Sequence, residues 1–145
     1  MDKVKVSDKL LLSVEKPARY TGGELNSIVK ETARLRFALC FPDVYEIGMS
    51  HLGSRILYEV INSREEYACE RCFAPWPDME KAMRENNVPM FTLETRTPLV
   101  ECDIVGFSLL YEMCYTNILT MLDLAHIHKR SADRGENEPI ISAGG

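Results

Sequence analysis

Three short loops carry the residues that are best suited to hold a ligand. The first follows the apolar run Leu35–Phe41 and contains Asp43, Tyr45 and Gly48. A glycine lets the backbone approach a bulky ligand closely, and the start of the helix that follows favours an anionic group. The Gly-x-Gly-x-x-Gly spacing is absent from the sequence, so a nicotinamide cofactor is not indicated. The alternative is an ordinary strand-to-helix loop with a packing glycine.

The other two loops contribute small residues. Gly106 and Ser108 stand near the end of the most apolar strand candidate, and Gly144-Gly145 follows the last one. Small residues there leave room for a ligand, but they also occur for packing, so each loop alone is weak evidence. Ligands of open parallel sheets bind outside the carboxyl ends of the strands. We therefore expect the three loops to converge at one edge of a sheet.

Alternating strand and helix patterns position these loops. Compact apolar runs predict strands at Leu35–Phe41, within Tyr67–Phe73, at Asp103–Leu110 and at Pro139–Ser142. Apolar residues at helical spacing predict helices at about Ser50–Asn62, within Asp78–Asn86 and at about Cys114–Ile127. The predicted fold is α/β, a flavodoxin-like (Rossmann-like), mostly parallel sheet with helices on both faces.

The helix predicted near residues 50–62 has five apolar residues on one side, namely Leu52, Ile56, Leu57, Val60 and Ile61. Val88–Leu93 also predicts a short strand, but the connection from Leu93 to Asp103 is too short for a parallel crossover, which takes about a dozen residues. That segment is therefore either an edge strand or extended coil.

A helical or extended preamble, residues 1–34, precedes the domain at 35–145. Ser7 can cap a short helix over Leu10–Leu12. The segment Thr21–Glu24 has capping-box spacing and predicts a second helix. The apolar residues on one face of that helix are Leu25, Ile28 and Val29.

Composition limits the class of protein. The chain has 145 residues, of which 46% are hydrophobic and 27% charged, which indicates one globular domain rather than a disordered chain. A net charge of −5 does not favour nucleic-acid binding. No apolar run approaches the length of a membrane span. Five cysteines and a start without signal-peptide character lead us to expect a cytoplasmic protein.

Together the three loops resemble the cobalamin-binding domain of methyltransferases, mutases and some radical SAM proteins. That domain carries Asp-x-His-x-x-Gly after its first strand, Ser-x-Leu after a later strand and Gly-Gly after another. The matching positions are Asp43, Tyr45 and Gly48, then Ser108 and Leu110, then Gly144 and Gly145. The resemblance implies a corrin over the strand ends, with the first loop near its lower face and the other two along its nucleotide tail. Tyr45 replaces the cobalt-ligating histidine, which implies cobalamin without histidine ligation.

Longer phrases resemble the N-terminal region of a B12-binding radical SAM protein family. They are Lys16–Glu24, Tyr45–Gly53 and Phe73–Glu80. The resemblance implies a partner, a downstream radical SAM domain of the parent chain, which holds a 4Fe-4S cluster and SAM. The Cys-x-x-x-Cys-x-x-Cys that binds such a cluster is absent from this sequence, so we expect the chain alone to catalyse nothing. The ending at Gly144-Gly145 likewise suggests a piece of a longer protein.

Several alternatives remain open in the sequence. The pair Cys69 and Cys72 is half a zinc site, a redox pair or two free thiols. His51 could replace the missing cobalt ligand or only pack, and Trp76 could cover a ligand or a core. Asp43 as a phosphoacceptor lacks a suitably placed lysine. Finally, the Tyr45 substitution and the long loop 131–139 are compatible with a degenerate domain that serves as a substrate-docking or interaction module.

Overall fold

The computed structural model of the protein describes residues 2–145. Its sheet consists of β1 (Leu35–Phe41), β2 (Tyr67–Phe73), β3 (Ile104–Ser108) and β4 (Ile140–Gly144). The α-helices of this part of the chain are α1 (Asp8–Leu12), α2 (Tyr45–Ser50), α3 (Leu52–Asn62), α4 (Pro77–Glu85) and α5 (Tyr115–Leu124). Among residues 2–145, no helix has the length and apolar character that crossing a membrane requires.

The strands lie in the order β2-β1-β3-β4, and each pair of neighbours is parallel. This is the beginning of the flavodoxin-like order 2-1-3-4-5, in which the first strand lies inside the sheet. The predicted fold class is confirmed. The predicted helix at about 50–62 is divided at His51 into the end of α2 and the whole of α3.

The two faces of the sheet are covered to different extents. One face, here called the α4–α5 face, bears the larger core, into which Cys40 and Phe107 project from the strands. The helices contribute Met79, Ala82, Met83, Met121, Leu122 and Leu124 to it. On the opposite face, here called the α3 face, a smaller core forms from Leu39, Tyr58 and Cys69. The smaller core lies over β1 and β2 only.

The N-terminal segment is part of the larger core. The predicted first helix is confirmed as α1, and the Ser7 hydroxyl caps it by accepting a hydrogen bond from the Leu10 N–H at 3.2 Å. The segment buries Val4, Val6, Leu10, Val14 and Tyr20 against the α4–α5 face. The preamble therefore packs on the domain and shares its core.

The predicted second helix, after Thr21, is wrong. Gly22 and Gly23 have φ values of +67° and +83°, a left-handed conformation that ends a right-handed helix before it starts. A side chain at Gly22 would also collide with the Leu93 carbonyl. The chain continues without regular structure to β1, and the Lys30 ammonium donates to the carbonyls of Asn62, Arg64 and Tyr67 at 2.6 to 2.8 Å.

Val88–Leu93 is extended coil and not a strand. Within the described residues, its one β-type pairing is an isolated antiparallel bridge between Phe91 and Pro98. The Leu93 N–H donates to the carbonyl of Arg71 at 2.9 Å, which covers the outer edge of β2. Of the two alternatives that the sequence leaves open, the structure adopts the second.

Helix α3 turns most of its apolar stripe away from the sheet. Four of the five apolar residues are 66, 53, 48 and 59% exposed, namely Leu52, Ile56, Leu57 and Val60. The buried side consists of Ser54, Tyr58 and Asn62. These polar groups have partners: the Tyr58 hydroxyl accepts from the Ile28 N–H at 2.8 Å, and the Asn62 amide bonds both backbone groups of Cys69 at 3.0 Å. Satisfied hydrogen bonds let a polar side face the sheet.

Two neighbouring leucines of α1 test whether the N-terminal segment stabilises the fold. Leu10 is 4% exposed and Leu12 is 80% exposed. Leu10→Ala leaves a cavity in the larger core, so we expect it to lower the free energy of unfolding by about 2 to 4 kcal/mol. The matched change Leu12→Ala should cost less than about 0.5 kcal/mol. Urea denaturation monitored by circular dichroism measures both, and equal effects would contradict a packed N-terminal segment.

Candidate functional site

The switch point of the sheet lies between β1 and β3. From β1 the chain crosses to β2 on one side, whereas β3 leads to β4 on the other side. The loops that leave the carboxyl ends of β1 and β3 therefore diverge and leave a crevice between them. Asp43 lies in the first of these loops, and Leu110 and Tyr111 lie in the second.

Asp43 and Tyr111 bridge this crevice. The Tyr111 hydroxyl donates to Asp43 Oδ2 at 3.0 Å, and the Val44 N–H donates to Oδ1 at 2.7 Å. The Cys114 thiol lies 3.9 Å from the same Oδ2. Hydrogen bonding to Cys114 and to Asp43 raises the pKa of Tyr111 above its ordinary value. The crevice is thus closed by the contacts of Tyr111 and Cys114 with Asp43 and by the Asn117 amide, which donates to the Pro42 carbonyl at 2.9 Å. Of these contacts, the exposed Tyr111–Asp43 hydrogen bond is one that an incoming ligand can displace at little cost.

Small residues line the α3 face of β3 and β4 beside the crevice. The register pairs Gly106 with Ser142 and Ser108 with Gly144, and we call these four residues the trough. The ring of Phe37 closes one end, because a Cβ at Gly106 would collide with it. The other end is open, since a Cβ at Gly144 meets nothing within 4 Å. Ser142 and Gly144 are exposed, so the open end is uncovered.

The loop after β3 adds an apolar rim to the trough. Its exposed side chains are Leu110, Tyr111 and Met113, and the exposed Tyr115 follows at the start of α5; we call these four side chains the apolar rim. The Leu109 N–H donates to the Gly144 carbonyl at 2.8 Å, which joins this loop to the end of β4. A side chain at Gly145 would collide with the Leu109 carbonyl, so the close approach of the two segments requires glycine there.

Tyr45 and Gly48 lie on the β2 side of the first loop. The Tyr45 hydroxyl donates to Glu24 Oε1 at 2.9 Å, and its ring stands edge-on to Phe73 with centroids 5.5 Å apart. Burial and the neighbouring Glu24 carboxylate raise the pKa of Tyr45 to about 12. Gly48 is buried in α2, where a Cβ would collide with the Phe73 ring. The structure thus brings Asp43 to Tyr111 and Cys114 in the loop after β3, while Tyr45 and Gly48 pack toward β2.

Two of the three histidines have side-chain partners outside the crevice. His51 caps α3, because its Nδ1 accepts from the Ser54 N–H at 3.1 Å, and its ring packs on Phe41 with centroids 5.2 Å apart. His128 bonds Glu138 at 2.9 Å in the loop before β4. Within residues 2–145, no group of three or more His, Cys, Asp or Glu side chains could hold a metal ion.

Trp76 is half-exposed, and the Arg19 guanidinium stacks on its ring, with the guanidinium carbon 5.2 Å from the ring centroid.

The two cysteines of β2 point to opposite faces. Residues three apart in a strand face opposite sides, and Cys69 belongs to the smaller core while Cys72 belongs to the larger one. This geometry does not suit a two-cysteine chelate or a redox pair. Burial raises the pKa of Cys69 and Cys102 to about 12, and the pKa of Cys40 is raised well above its ordinary value for the same reason.

A groove of about 350 Å³ lies between α2, α3 and the sheet, and the sequence analysis does not predict it. Its walls are mostly apolar, but Arg71 is buried at one side. The Arg71 Nε donates to Glu94 at 2.6 Å, and its Nη1 contacts the Met49 sulfur at 3.4 Å. One feature of the sequence could have pointed to this groove. It is the pair of opposite charges Glu70-Arg71 inside a strand whose other central residues are buried.

Comparison with known proteins identifies the family of this chain. A family described as radical SAM proteins, N-terminal, matches residues 53–145, which is well over half of the chain. The chain therefore belongs to the family of N-terminal domains of radical SAM proteins. The matched region includes Ser108, Leu110 and the two final glycines, whereas the loop with Asp43 precedes it. No curated protein and no solved structure matches the chain significantly.

Thiol chemistry tests the assignment of the cysteines as structural. All five are buried, and the raised pKa values keep the thiols of Cys69 and Cys102 protonated at pH 8. Since the thiolate is the nucleophile, we expect 5,5′-dithiobis(2-nitrobenzoate) to react with fewer than one thiol in the native protein within minutes. In 6 M guanidinium chloride (roughly enough to unfold most domains) all five cysteines should react. Rapid native reaction of two thiols would contradict this assignment.

Proposed function

We propose that this chain binds cobalamin at the carboxyl edge of its sheet, as the N-terminal domain of a radical SAM protein. The observation that supports this most directly is the open trough beside the switch point. A slender chain such as the nucleotide tail of cobalamin can lie over Ser142 and Gly144, because both are exposed and neither carries a large side chain. The apolar rim then packs against the corrin, which presents both apolar edges and amide side chains.

The residues present fit this group. A trough that is closed by Phe37 and open at Gly144 can take a ligand from the carboxyl edge inward. The Asp43 carboxylate can accept hydrogen bonds from amide groups once Tyr111 releases it. Tyr45 occupies the histidine position with its hydroxyl on Glu24, so this loop offers cobalt no imidazole. We therefore propose binding without a histidine ligand from this loop.

These positions suggest separate roles for the cofactor and for the residues of this chain. Bound cobalamin supplies methyl-group or electron-transfer chemistry. The residues of this chain bind and orient the group: the trough fixes the tail, and the rim and Asp43 fix the ring. We propose that the radical chemistry belongs to a downstream domain of the parent chain, which would carry the 4Fe-4S cluster and SAM.

Two hydrogen bonds favour a second candidate function. The Asp43–Tyr111 hydrogen bond closes the crevice, and Tyr45 is held by Glu24. A domain that has lost cobalamin and serves as a docking module for substrate or protein would have the same contacts. The two candidates differ in whether the crevice accepts a corrin.

Titration with hydroxocobalamin separates them. We expect a shift in the corrin absorption spectrum and retention of about one equivalent on gel filtration, since binding changes the solvent around the corrin and its cobalt. Gly144→Trp places a large side chain at the open end of the trough, where a Cβ meets nothing within 4 Å, and should weaken binding by about tenfold or more, a change of about 1.4 kcal/mol or greater.

The matched control is Gly135→Trp, because Gly135 also has open space around it but lies in the loop before β4. This variant should bind like the unaltered chain. No retained corrin at a large excess over the protein would remove the cobalamin proposal and favour the docking module. Equal loss in both variants would show that the trough is not the site.

A further inference from the structure

The outward side of α3 is an apolar stripe at the spacing of a helix–helix contact. Leu52, Ile56 and Val60 are one turn apart, and each is more than half exposed. A helix that is polar toward its own sheet and apolar toward solvent is the reverse of the usual arrangement in a surface helix. Such an arrangement marks an interaction surface.

Two charged residues flank this stripe. Arg55 and Glu59 are four residues apart and so lie on one flank of α3. An arginine that precedes a glutamate by four residues is the less favourable order for a pair within a helix. Accordingly, neither side chain forms an ion pair with another residue in the described part of the chain.

The apolar stripe and its two flanking charges are complementary to the same surface of a second copy when Ile56 lies at the centre of the contact. If a second α3 lies antiparallel with its Ile56 facing this Ile56, Leu52 faces Val60 of the second copy. In an antiparallel pair the same flanks meet. Arg55 is then level with Leu57 of the second copy and lies two residues, about 3 Å along the helix axis, from the level of that copy's Glu59, a distance that the two long side chains can span. Two-fold symmetry repeats both contacts. Apolar residues therefore meet at the centre and opposite charges meet twice at the side.

The groove beside α3 adds room for the second copy. Ile56 and Val60 of the stripe are also part of its wall, together with Phe73 of β2. Its volume of about 350 Å³ can admit a side chain from the facing helix. Interfaces commonly place their strongest apolar anchor in such a pocket.

We infer that two copies of this chain associate through an antiparallel pairing of α3 centred on Ile56. The interface is small, since an 11-residue helix is about 16 Å long. A contact of that size buries less than a standard protein interface, so the dissociation constant should be on the order of 10–100 µM. The inference uses a different surface from the trough, and its failure would leave the cobalamin proposal unaffected.

Sedimentation equilibrium over a range of concentrations tests this pairing. We expect the mean mass to rise from 16.5 kDa toward twice that value as the concentration passes the dissociation constant. Ile56→Asp places a charge at the centre of the contact and should leave the chain monomeric up to about 1 mM, ten times the upper end of that range. The control Leu12→Asp replaces an apolar residue of α1 that is even more exposed than Ile56 and should not change the association.

Charge reversal tests the antiparallel arrangement itself. Arg55→Glu makes the flank wholly acidic and Glu59→Arg makes it wholly basic, so each variant alone should associate about threefold to tenfold more weakly. An equimolar mixture of the two should regain the unaltered affinity, because each acidic flank then meets a basic one. Circular dichroism checks that all variants remain folded.

Two outcomes would overturn the pairing. The first is a mass of 16.5 kDa at about 1 mM protein, which would leave the stripe to another partner such as a neighbouring domain. The second is association that neither Ile56→Asp nor the charge reversals change, which would place the contact on another surface.

Discussion

Strand β2 carries two adjacent opposite charges, Glu70 and Arg71, into opposite faces of the sheet, and both are buried. Leaving one partner of a buried pair uncompensated typically costs about 3 to 5 kcal/mol, so each needs a fixed counter-charge. Glu70 pairs with Arg36 of β1, and Arg71 pairs with Glu94 at 2.6 Å. Since Glu94 lies beyond α4, the chain after that helix must return to the outer edge of β2. These pairs determine the course of the irregular segments around β2.

The uncovered part of the molecule lies at the opposite edge of the sheet, at β4. The segment around Glu94 covers the outer edge of β2, and α2 and α3 cover the α3 face of β1 and β2. The α3 face of β4 is exposed, and its small residues Ser142 and Gly144 leave the trough open at the carboxyl edge. These small residues bury less apolar surface than larger side chains would, and each buried CH₂ group stabilises a fold by about 0.8 kcal/mol. A ligand that fills the trough would restore part of that burial.

Local patterns predicted most of the fold, because strands that are apolar on both faces and helix starts are encoded within a few residues. The α/β class and the positions of the three loops followed from them. The features that were missed depend on distant partners or on backbone conformation. Tyr58 and Asn62 face the sheet because Ile28 and Cys69 bond them, whereas their residue types favoured solvent. The second helix failed because Gly22 and its neighbour adopt left-handed backbone angles.

Changes in amide chemical shifts test, residue by residue, the proposal that a corrin binds at the switch point and the trough. In a ¹H–¹⁵N correlation spectrum of the labelled chain titrated with diamagnetic hydroxocobalamin, we expect the largest changes within 43–45, 108–111 and 142–145. Amides of α1 and of α3 should change little. Changes centred on the groove beside α3, or no changes at saturating hydroxocobalamin, would contradict the account.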